Sequence, residues 1–379
     1  MKIGIDARMF GPAVGGGGLG RYVEQLVGEL QKQDLENRYV LFLKRENFDT
    51  CVITNPNFEK RLADAHWYTA KEQIVMPFLI AREDLDLIHF PHWNVPLLCR
   101  TPFVVTIHDL ILLEQPVSSK TTTRGPLVHW LKRLGYRISL RHAIVASKRI
   151  VAVSRYTKSS VGNFFPGIPS SKVEVVYEGL TELPSLSTTP SLHDSVTPYL
   201  LYVGNAYPHK NLDSLLDAFA MFSKSHPGVE LVLAGRDDVF YRRLRTIIHD
   251  SRPDPNPVRF VMNPTDAELA ELYRGAKLYV FPSKSEGFGL PPLEAMSVGI
   301  PVVSSNATCL PEILGDAALY FPPDDVEAMA AAMERGYSDE RLRAELVAEG
   351  REQVKKYSWA AMARSILNLY GNVSHRETE

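Results

Sequence analysis

Cysteine is scarce and scattered in this chain of 379 residues: Cys51, Cys99 and Cys309 lie far apart, odd in number and never in a CxxC pair. That spacing argues against a disulfide framework or a cysteine-rich zinc cluster, and it fits a reducing cytosol. Long apolar runs are missing as well, since no stretch reaches the roughly 18–20 residues that a membrane-spanning helix needs. The opening Met1-Lys2-Ile3-Gly4-Ile5-Asp6-Ala7-Arg8 has charges at both ends of a short apolar core. It reads as a strand and not as a secretory signal. Acidic residues are absent from one whole region, with none between Glu114 and Glu174.

That region is basic. Lys120, Arg124, Lys132, Arg133, Arg137, Arg141, Lys148, Arg149, Arg155, Lys158 and Lys172 supply eleven positive charges. The remainder then carries 31 basic against 44 acidic residues, although the whole chain is only −2. Within the region, residues 127–138 interleave Trp130, Tyr136 and several leucines with Lys132, Arg133 and Arg137. With Arg141, this suits a surface that lies on an anionic bilayer or grips a lipid-linked phosphate. The plain alternative is a solvated helix face. Nucleic acid is disfavoured because no known binding module accompanies the patch.

At 45% apolar and 23% charged residues the composition is that of a globular protein, and the length suggests two domains. Apolar strand candidates alternate with helical stretches in two sets. The first holds 2–6, 39–43, 87–90, 103–107, 149–153 and 173–176, with helices at 21–33 and 127–147. The second holds 199–203, 230–234, 258–262, 278–281 and 301–304. Between them lies a segment rich in Ser, Thr and Pro. Such alternation means parallel sheets covered on both faces. The expected organisation is α/β, with Rossmann-like domains over residues 1–180 and 199–357, a linker over 181–198, a cleft between the domains, and a last helix at about 358–379.

The chemistry concentrates in Ser285-Glu286-Gly287-Phe288-Gly289-Leu290-Pro291-Pro292-Leu293-Glu294-Ala295-Met296. A buried strand runs into it, and a helix from Pro291 to Val298, stopped by Gly299, runs out. Glu286 then sits at the carboxyl end of a parallel strand, where open α/β sheets bind ligands. Glu294 lies about one turn into the helix. Two carboxylates so placed suit a polyhydroxylated ligand, because each accepts several hydrogen bonds; the bland alternative is a loop Glu and a helix-dipole Glu. Lys210, in Gly204-Asn205-Ala206-Tyr207-Pro208-His209-Lys210-Asn211, precedes a helix and can neutralise phosphate, helped by His209 if protonated. Gly15-Gly16-Gly17-Gly18-Leu19-Gly20 matches GxGxxG only formally, because Arg8–Val14 separate it from its strand. A mobile glycine loop before a helix near Arg21, offering amides to a ligand, is the better account. His108, followed by Asp109, ends the buried strand 103–107. His89 and His92 have ligand-like spacing but no third partner, so a cleft wall for a sugar is favoured over metal.

The Glu-x7-Glu pattern in this Gly-Phe-Gly-Leu-Pro-Pro setting resembles the donor-site signature of the retaining glycosyltransferases of family four, which have the GT-B fold. The resemblance runs over nearly the whole chain. It implies a metal-independent transferase without cofactor, acting on a nucleotide-diphosphate sugar. His108, Glu286 and Lys210 would be catalytic, with Asp109 orienting His108 or capping the next segment. Gly18, Gly20, Gly204, Asn205, His209, Gly235, Met262, Asn263, Gly287, Phe288, Gly289, Leu290 and Glu294 would line the donor site, Glu294 on the ribose. Many relatives place Arg where Asn205 stands, which leaves Lys210 as the main cation. The last helix would cross back onto the first domain. The opening Gly-Ile-Asp-Ala-Arg and the Pro-His-Lys-Asn loop look most like bacterial mannosyltransferases of surface-polysaccharide assembly. These imply GDP-mannose, with UDP-sugars as the alternative, and a glycan or polyprenyl-diphosphate-linked acceptor. The site would be cytoplasmic, peripheral on the inner membrane face, with Trp130, Lys132, Arg133, Arg137 and Arg141 as acceptor or membrane surface. The rivals are a phosphorylase-like or epimerase enzyme of the same fold and a non-catalytic sugar-nucleotide sensor at a membrane surface.

Overall fold

The computed structural model describes residues 1–115, 126–181, 183, 197–251 and 258–375. Most of the linker expected at 181–198, the basic residues Lys120 and Arg124, and the tail 376–379 lie outside the described residues. So do the side chains of 126–129 and 374–375.

Two compact units emerge. Unit 1 gathers Met1–Leu110, Ser119–Gly179 and Ser358–Glu379; unit 2 gathers Ile111–Ser118 and Leu180–Tyr357. Unit 1 is built on seven strands: β1 (Lys2–Asp6), β2 (Arg38–Leu43), β3 (Phe58–Leu62), β4 (Leu87–Phe90), β5 (Phe103–Ile107), β6 (Arg149–Ala152) and β7 (Val173–Val175). They form one sheet in the order β3-β2-β1-β4-β5-β6-β7, with every pairing parallel. Unit 2 is built on β8 (Tyr199–Val203), β9 (Glu230–Gly235), β10 (Val258–Met262), β11 (Leu278–Phe281), β12 (Val302–Ser305) and β13 (Ala318–Phe321). Their order is β10-β9-β8-β11-β12-β13, again parallel throughout. These are two Rossmann-like α/β sheets, and the physical cause is direct. Central strands such as Phe103–Ile107 and Leu278–Phe281 are buried at every position, which requires helices on both faces and therefore helical crossovers.

Side chains set the helix starts. Ser154, Thr265, Asp325 and Asp339 each accept a hydrogen bond from a backbone N–H of the first turn. Each satisfies a donor that would otherwise lack an intrahelical partner. The helix Trp359–His375 belongs to unit 1: Trp359, Met362, Ala363, Ile366, Leu369 and Tyr370 join Ile3, Ile5, Tyr22 and Leu26 in one buried cluster. Gly179 permits this, since a Cβ there would lie 2.2 Å from the Trp359 nitrogen.

The glycine segment departs from the expected mobile loop. A short helix covers Pro12–Gly15 and a long one Gly17–Gln33, so Gly18 and Gly20 are helical and the long helix starts four residues before Arg21. Its inner face is a steep apolar stripe of Tyr22, Val23, Leu26, Val27 and Leu30, and that burial carries the helix back through the glycines. The two candidates differ sharply. Gly18 is exposed with open space around it, whereas a Cβ on buried Gly20 would meet the Gly11 carbonyl oxygen at 2.2 Å. Gly20→Ala should therefore cost about 2–4 kcal/mol, while Gly18→Ala should be neutral or stabilising by up to about 1 kcal/mol. Thermal melts of the two variants check this pair.

Candidate active site

Strand order reverses once in each sheet: β1 is flanked by β2 and β4 in unit 1, and β8 by β9 and β11 in unit 2. At such a point the loops leaving two neighbouring strands turn to opposite faces and leave a crevice at the carboxyl ends. In unit 2 those loops carry Lys210 and Glu286. Lys210 closes a short 3-10 turn, Pro208–Lys210, ahead of the helix Leu212–Phe222, with Asn211 in the left-handed region at φ 61°. The Asn211 amide donates to the carbonyl oxygens of Pro282 and Pro323 and fixes the turn against the β11 loop. Lys210 Nζ then donates to Glu286 Oε1 at 2.5 Å, with side chains only 14% and 10% exposed. An ammonium has three N–H groups, so an anion reaching Lys210 shares it with Glu286.

The Glu286 loop is held from below. Its backbone N–H donates to Thr308 Oγ1 at 3.0 Å, and the buried Cys309 thiol donates to the carbonyls of Glu286 and Phe288. Gly289 takes φ 95° at the start of the helix Leu290–Ser297, a conformation that favours glycine. Phe288 is buried edge-on against Tyr357. On the helix, Glu294 Oε2 accepts from the Tyr273 hydroxyl at 2.9 Å. Burial, with Glu294 beside it, holds the Tyr273 phenol well above its usual range, so it stays a donor. Ser285 donates to Glu114 of the helix Ile111–Glu114, also counted with unit 2.

Several candidates take on structural tasks. Gly235 faces Gly204: a Cβ on Gly235 would lie 2.1 Å from the Gly204 oxygen and against the Tyr241 ring. Its missing side chain is thus accounted for within the chain. The side chain of Asn205 accepts from the Tyr207 N–H and closes its own turn. Asn263, at φ 53°, donates its N–H to the Gly235 carbonyl and accepts from the Asp237 N–H, which holds the β9 loop beside Met262. The cationic help expected from His209 is overturned. Burial first, then the charge of Lys210, pulls its pKa down to about 4 against the opposing pull of Glu286, so it is neutral near pH 7.

In unit 1, His108 follows β5. Its Nδ1 meets Glu178 Oε1 at 2.9 Å and its Nε2 meets the Pro91 carbonyl at 3.0 Å. Two acceptors need two N–H donors, so this geometry holds an imidazolium. Burial pulls the pKa down, but the hydrogen bond and charge of Glu178 outweigh it and the net shift is upward. The Tyr22 ring stands edge-on to the imidazole at 4.7 Å. The orienting carboxylate is therefore Glu178 and not Asp109. Sequence reading passed over Glu178, although it follows β7 at a strand's carboxyl end, the same signal that singled out Glu286. His89 is corrected as well. It is fully buried, with Nδ1 on the Tyr370 hydroxyl and Nε2 on Thr106 Oγ1, so it ties the last helix to the sheet and lines no cleft. No helix among the described residues is long and apolar enough to cross a membrane.

Comparison with known proteins follows these landmarks. The model of the family described as glycosyl transferases group 1 matches residues 189–353, and that of Glycosyltransferase Family 4 matches residues 16–181. The O-antigen chain mannosyltransferase B of Escherichia coli is 30% identical over 279 residues, covering 70% of this chain and 69% of that protein. The O-antigen chain mannosyltransferase RfbU of Salmonella typhimurium is 26% identical over 282 residues, covering 74% and 73%. Among solved structures, a sucrose-phosphate synthase from Thermosynechococcus elongatus superposes with a TM-score of 0.78 at 21% identity, covering 99% of this chain and 100% of that one.

The His108–Glu178 pair has a pH signature. The folded pKa of His108 lies above its ordinary 6.5, so the stabilisation is complete below that pH and is lost as pH rises through the raised folded value. Glu178→Gln should cost about 1–3 kcal/mol near pH 6, with a smaller cost toward about pH 9. Melting curves of both proteins across that range check the trend, and imidazole NMR titration should show the His108 pKa lower in the variant.

Proposed function

The chain belongs to the group 1, family four glycosyltransferases of GT-B fold, and on that premise we propose that it moves mannose from GDP-mannose to a surface-polysaccharide acceptor with retention at the anomeric carbon. The observation that carries the reading is the Lys210–Glu286 pair bridging the two loops of the unit 2 switch point. It puts a cation and a carboxylate side by side, as a diphosphate joined to a sugar requires. Mannose is favoured by the O-antigen mannosyltransferases that the chain resembles.

In this mechanism the bond from the anomeric carbon to the diphosphate oxygen breaks, and the diphosphate leaves with the electron pair. The acceptor hydroxyl bonds to the same face and passes its proton to the departing phosphate. Lys210 stabilises the charge that grows on the leaving group, the kind of fixed electrostatic term that usually counts most. The amides of Gly289, Leu290 and Leu293 add to it, since Pro291 and Pro292 have no N–H to offer. Glu286 and the backbone of Gly287 to Leu290 hold the sugar, Glu294 the ribose, and Gly204, Asn205, Gly235, Met262 and Asn263 frame the nucleotide. Gly18 offers its exposed helix-start amide. The resemblance implies that His108 acts on the reacting sugar, and its pairing with Glu178 supports a cationic form in that role. No step in this scheme calls on a metal ion, so chelators leave the rate unchanged.

The acceptor reading extends to the basic helix Pro126–Ala146. Trp130, Leu131, Leu134 and Ile138 are 57%, 52%, 41% and 47% exposed. They form one stripe, with exposed Arg141 along it and exposed Arg137 at its edge, while Lys132 and Arg133 are exposed farther round the helix. An apolar stripe edged with positive charge matches an anionic bilayer surface. On this reading the enzyme lies peripherally on the cytoplasmic face, where lipid-linked acceptors would be held.

Three experiments test these statements. Lys210→Gln and Glu286→Gln each leave the partner a hydrogen bond, and each should lower kcat about 100- to 1,000-fold with little change in fold. Full activity in either would overturn the site. In the unmodified protein GDP should raise the melting temperature more than UDP; the reverse order points to a UDP-sugar donor. Release of free nucleotide only when acceptor is present rules out the non-transferring rival, and donor binding with no release supports it. Replacing Lys132, Arg133 and Arg137 together with alanine should weaken binding to phosphatidylserine-containing vesicles about 100-fold at low salt, as measured by co-sedimentation.

A further inference from the structure

The switch point of unit 2 is short of positive charge. Lys210 brings one cation, but it is paired with Glu286. His209 is neutral near pH 7, because burial first and then Lys210 pull its pKa down to about 4. Glu294, on the helix Leu290–Ser297, adds a second carboxylate. A diphosphate entering here needs donors beyond the Lys210 ammonium, and backbone N–H groups are the other strong donors available. The direction of the amides in the Lys210 loop therefore decides what the crevice can hold.

Two buried phenols set that direction. Tyr202, on β8, donates its hydroxyl to the Asn205 carbonyl at 2.7 Å. Tyr241, on the helix Val239–Ser251, reaches the Gly204 carbonyl at 2.9 Å and the Ala234 carbonyl at 3.2 Å. Both side chains are fully buried. Burial, ahead of any neighbouring charge, holds both phenols above their usual range, so each stays a donor. Gly235 keeps Tyr241 within reach, since a Cβ there would press on its ring at 2.6 Å and on its hydroxyl at 2.8 Å.

In a trans peptide the C=O of one residue and the N–H of the next point in opposite directions, and no described peptide bond is cis. The Gly204 and Asn205 carbonyls are drawn inward to Tyr241 and Tyr202. The N–H groups of Asn205 and Ala206 are therefore turned away from the core. Both residues are half-buried, and neither N–H is engaged by another described residue. On one side, the Gly204 N–H goes to the Ala234 carbonyl; on the other, the Tyr207 N–H goes to the Asn205 side chain. Two consecutive amides are left facing out of the loop that ends in Lys210.

We propose that the Asn205 and Ala206 N–H groups bind the diphosphate of the sugar nucleotide beside Lys210, and that Tyr202 and Tyr241 are positioning residues that aim them. This rests on the nucleotide-sugar reading above. A carbonyl turned toward the crevice would repel phosphate oxygens, so the phenols act by fixing which end of each peptide meets the ligand. Amides held in this way meet negative charge without rearranging.

The test separates the diphosphate from the rest of the nucleotide. Calorimetric titration of the full protein gives the affinity for GDP and UDP, and displacement titrations give it for inorganic pyrophosphate and the matching nucleoside. Tyr202→Phe and Tyr241→Phe should each weaken pyrophosphate about fivefold or more and leave the nucleoside within about twofold. Equal losses for pyrophosphate and nucleoside would mark a merely structural role and overturn the proposal, as would unchanged pyrophosphate affinity. Asn205→Asp tests the same point without touching the core. It keeps an acceptor for the Tyr207 N–H and sets a negative charge beside the two amides, so pyrophosphate should weaken about tenfold or more. Full pyrophosphate affinity in that variant also overturns the proposal. A protein that binds neither GDP nor UDP removes the nucleotide-sugar reading and this inference together, whereas nucleotide binding with unmoved pyrophosphate affinity removes this inference alone.

Discussion

A parallel strand can be reached only by crossing over a helix, and each sheet here can be filled outward in both directions only by reversing its order once. That reversal, between β8 and β11 in unit 2, puts the Lys210 and Glu286 loops side by side. The pair contributes little to stability, because taking two charges out of water offsets most of their attraction. Its value is positional. A lysine turned by Pro208 and Asn211, facing a loop held by Thr308 and Cys309, is aimed before any ligand arrives. Preorganised charge of this kind needs no rearrangement during the reaction.

The same architecture appears in unit 1 with the opposite electrical character. Where unit 2 offers an ammonium with N–H groups to spare, unit 1 locks its guanidinium between Asp6 and Glu72. One switch point keeps a cation with N–H groups left over, the other a cation already paired on all sides. The histidines follow the same division of labour. His89, His92 and His209 are held neutral by burial, and His108 alone among these four is held charged, because Glu178 and the Pro91 carbonyl both demand a proton from it.

Much of this was legible in the sequence because it rests on local pattern. The apolar strands and the Gly-Phe-Gly-Leu-Pro-Pro cassette declare themselves within a dozen residues. The misses share a physical cause. β3, Phe-Glu-Lys-Arg-Leu, is an edge strand with only Phe58 buried, so it lacks the apolar run that marks a central strand, and β13 is a four-residue edge of the other sheet. Gly18 and Gly20 were read as loop because glycine disfavours helices, yet the buried stripe from Tyr22 to Leu30 overrides that local preference. The task of His89 depends on Tyr370, 281 positions away, and Tyr273 reaches Glu294 from a neighbouring helix. Partners so distant leave no trace in spacing.

The helix Trp359–His375 completes the core of unit 1 although the whole of Leu180–Tyr357 precedes it. During synthesis, at about 5–20 residues per second, the ribosome therefore takes roughly 10–40 seconds to traverse that stretch before the missing wall emerges. Until then the apolar surface around Ile3, Ile5 and Leu26 stays uncovered on the nascent chain. The first half of the polypeptide is consequently the last to mature, and a premature stop near the 3′ end of the message would cripple the part translated first.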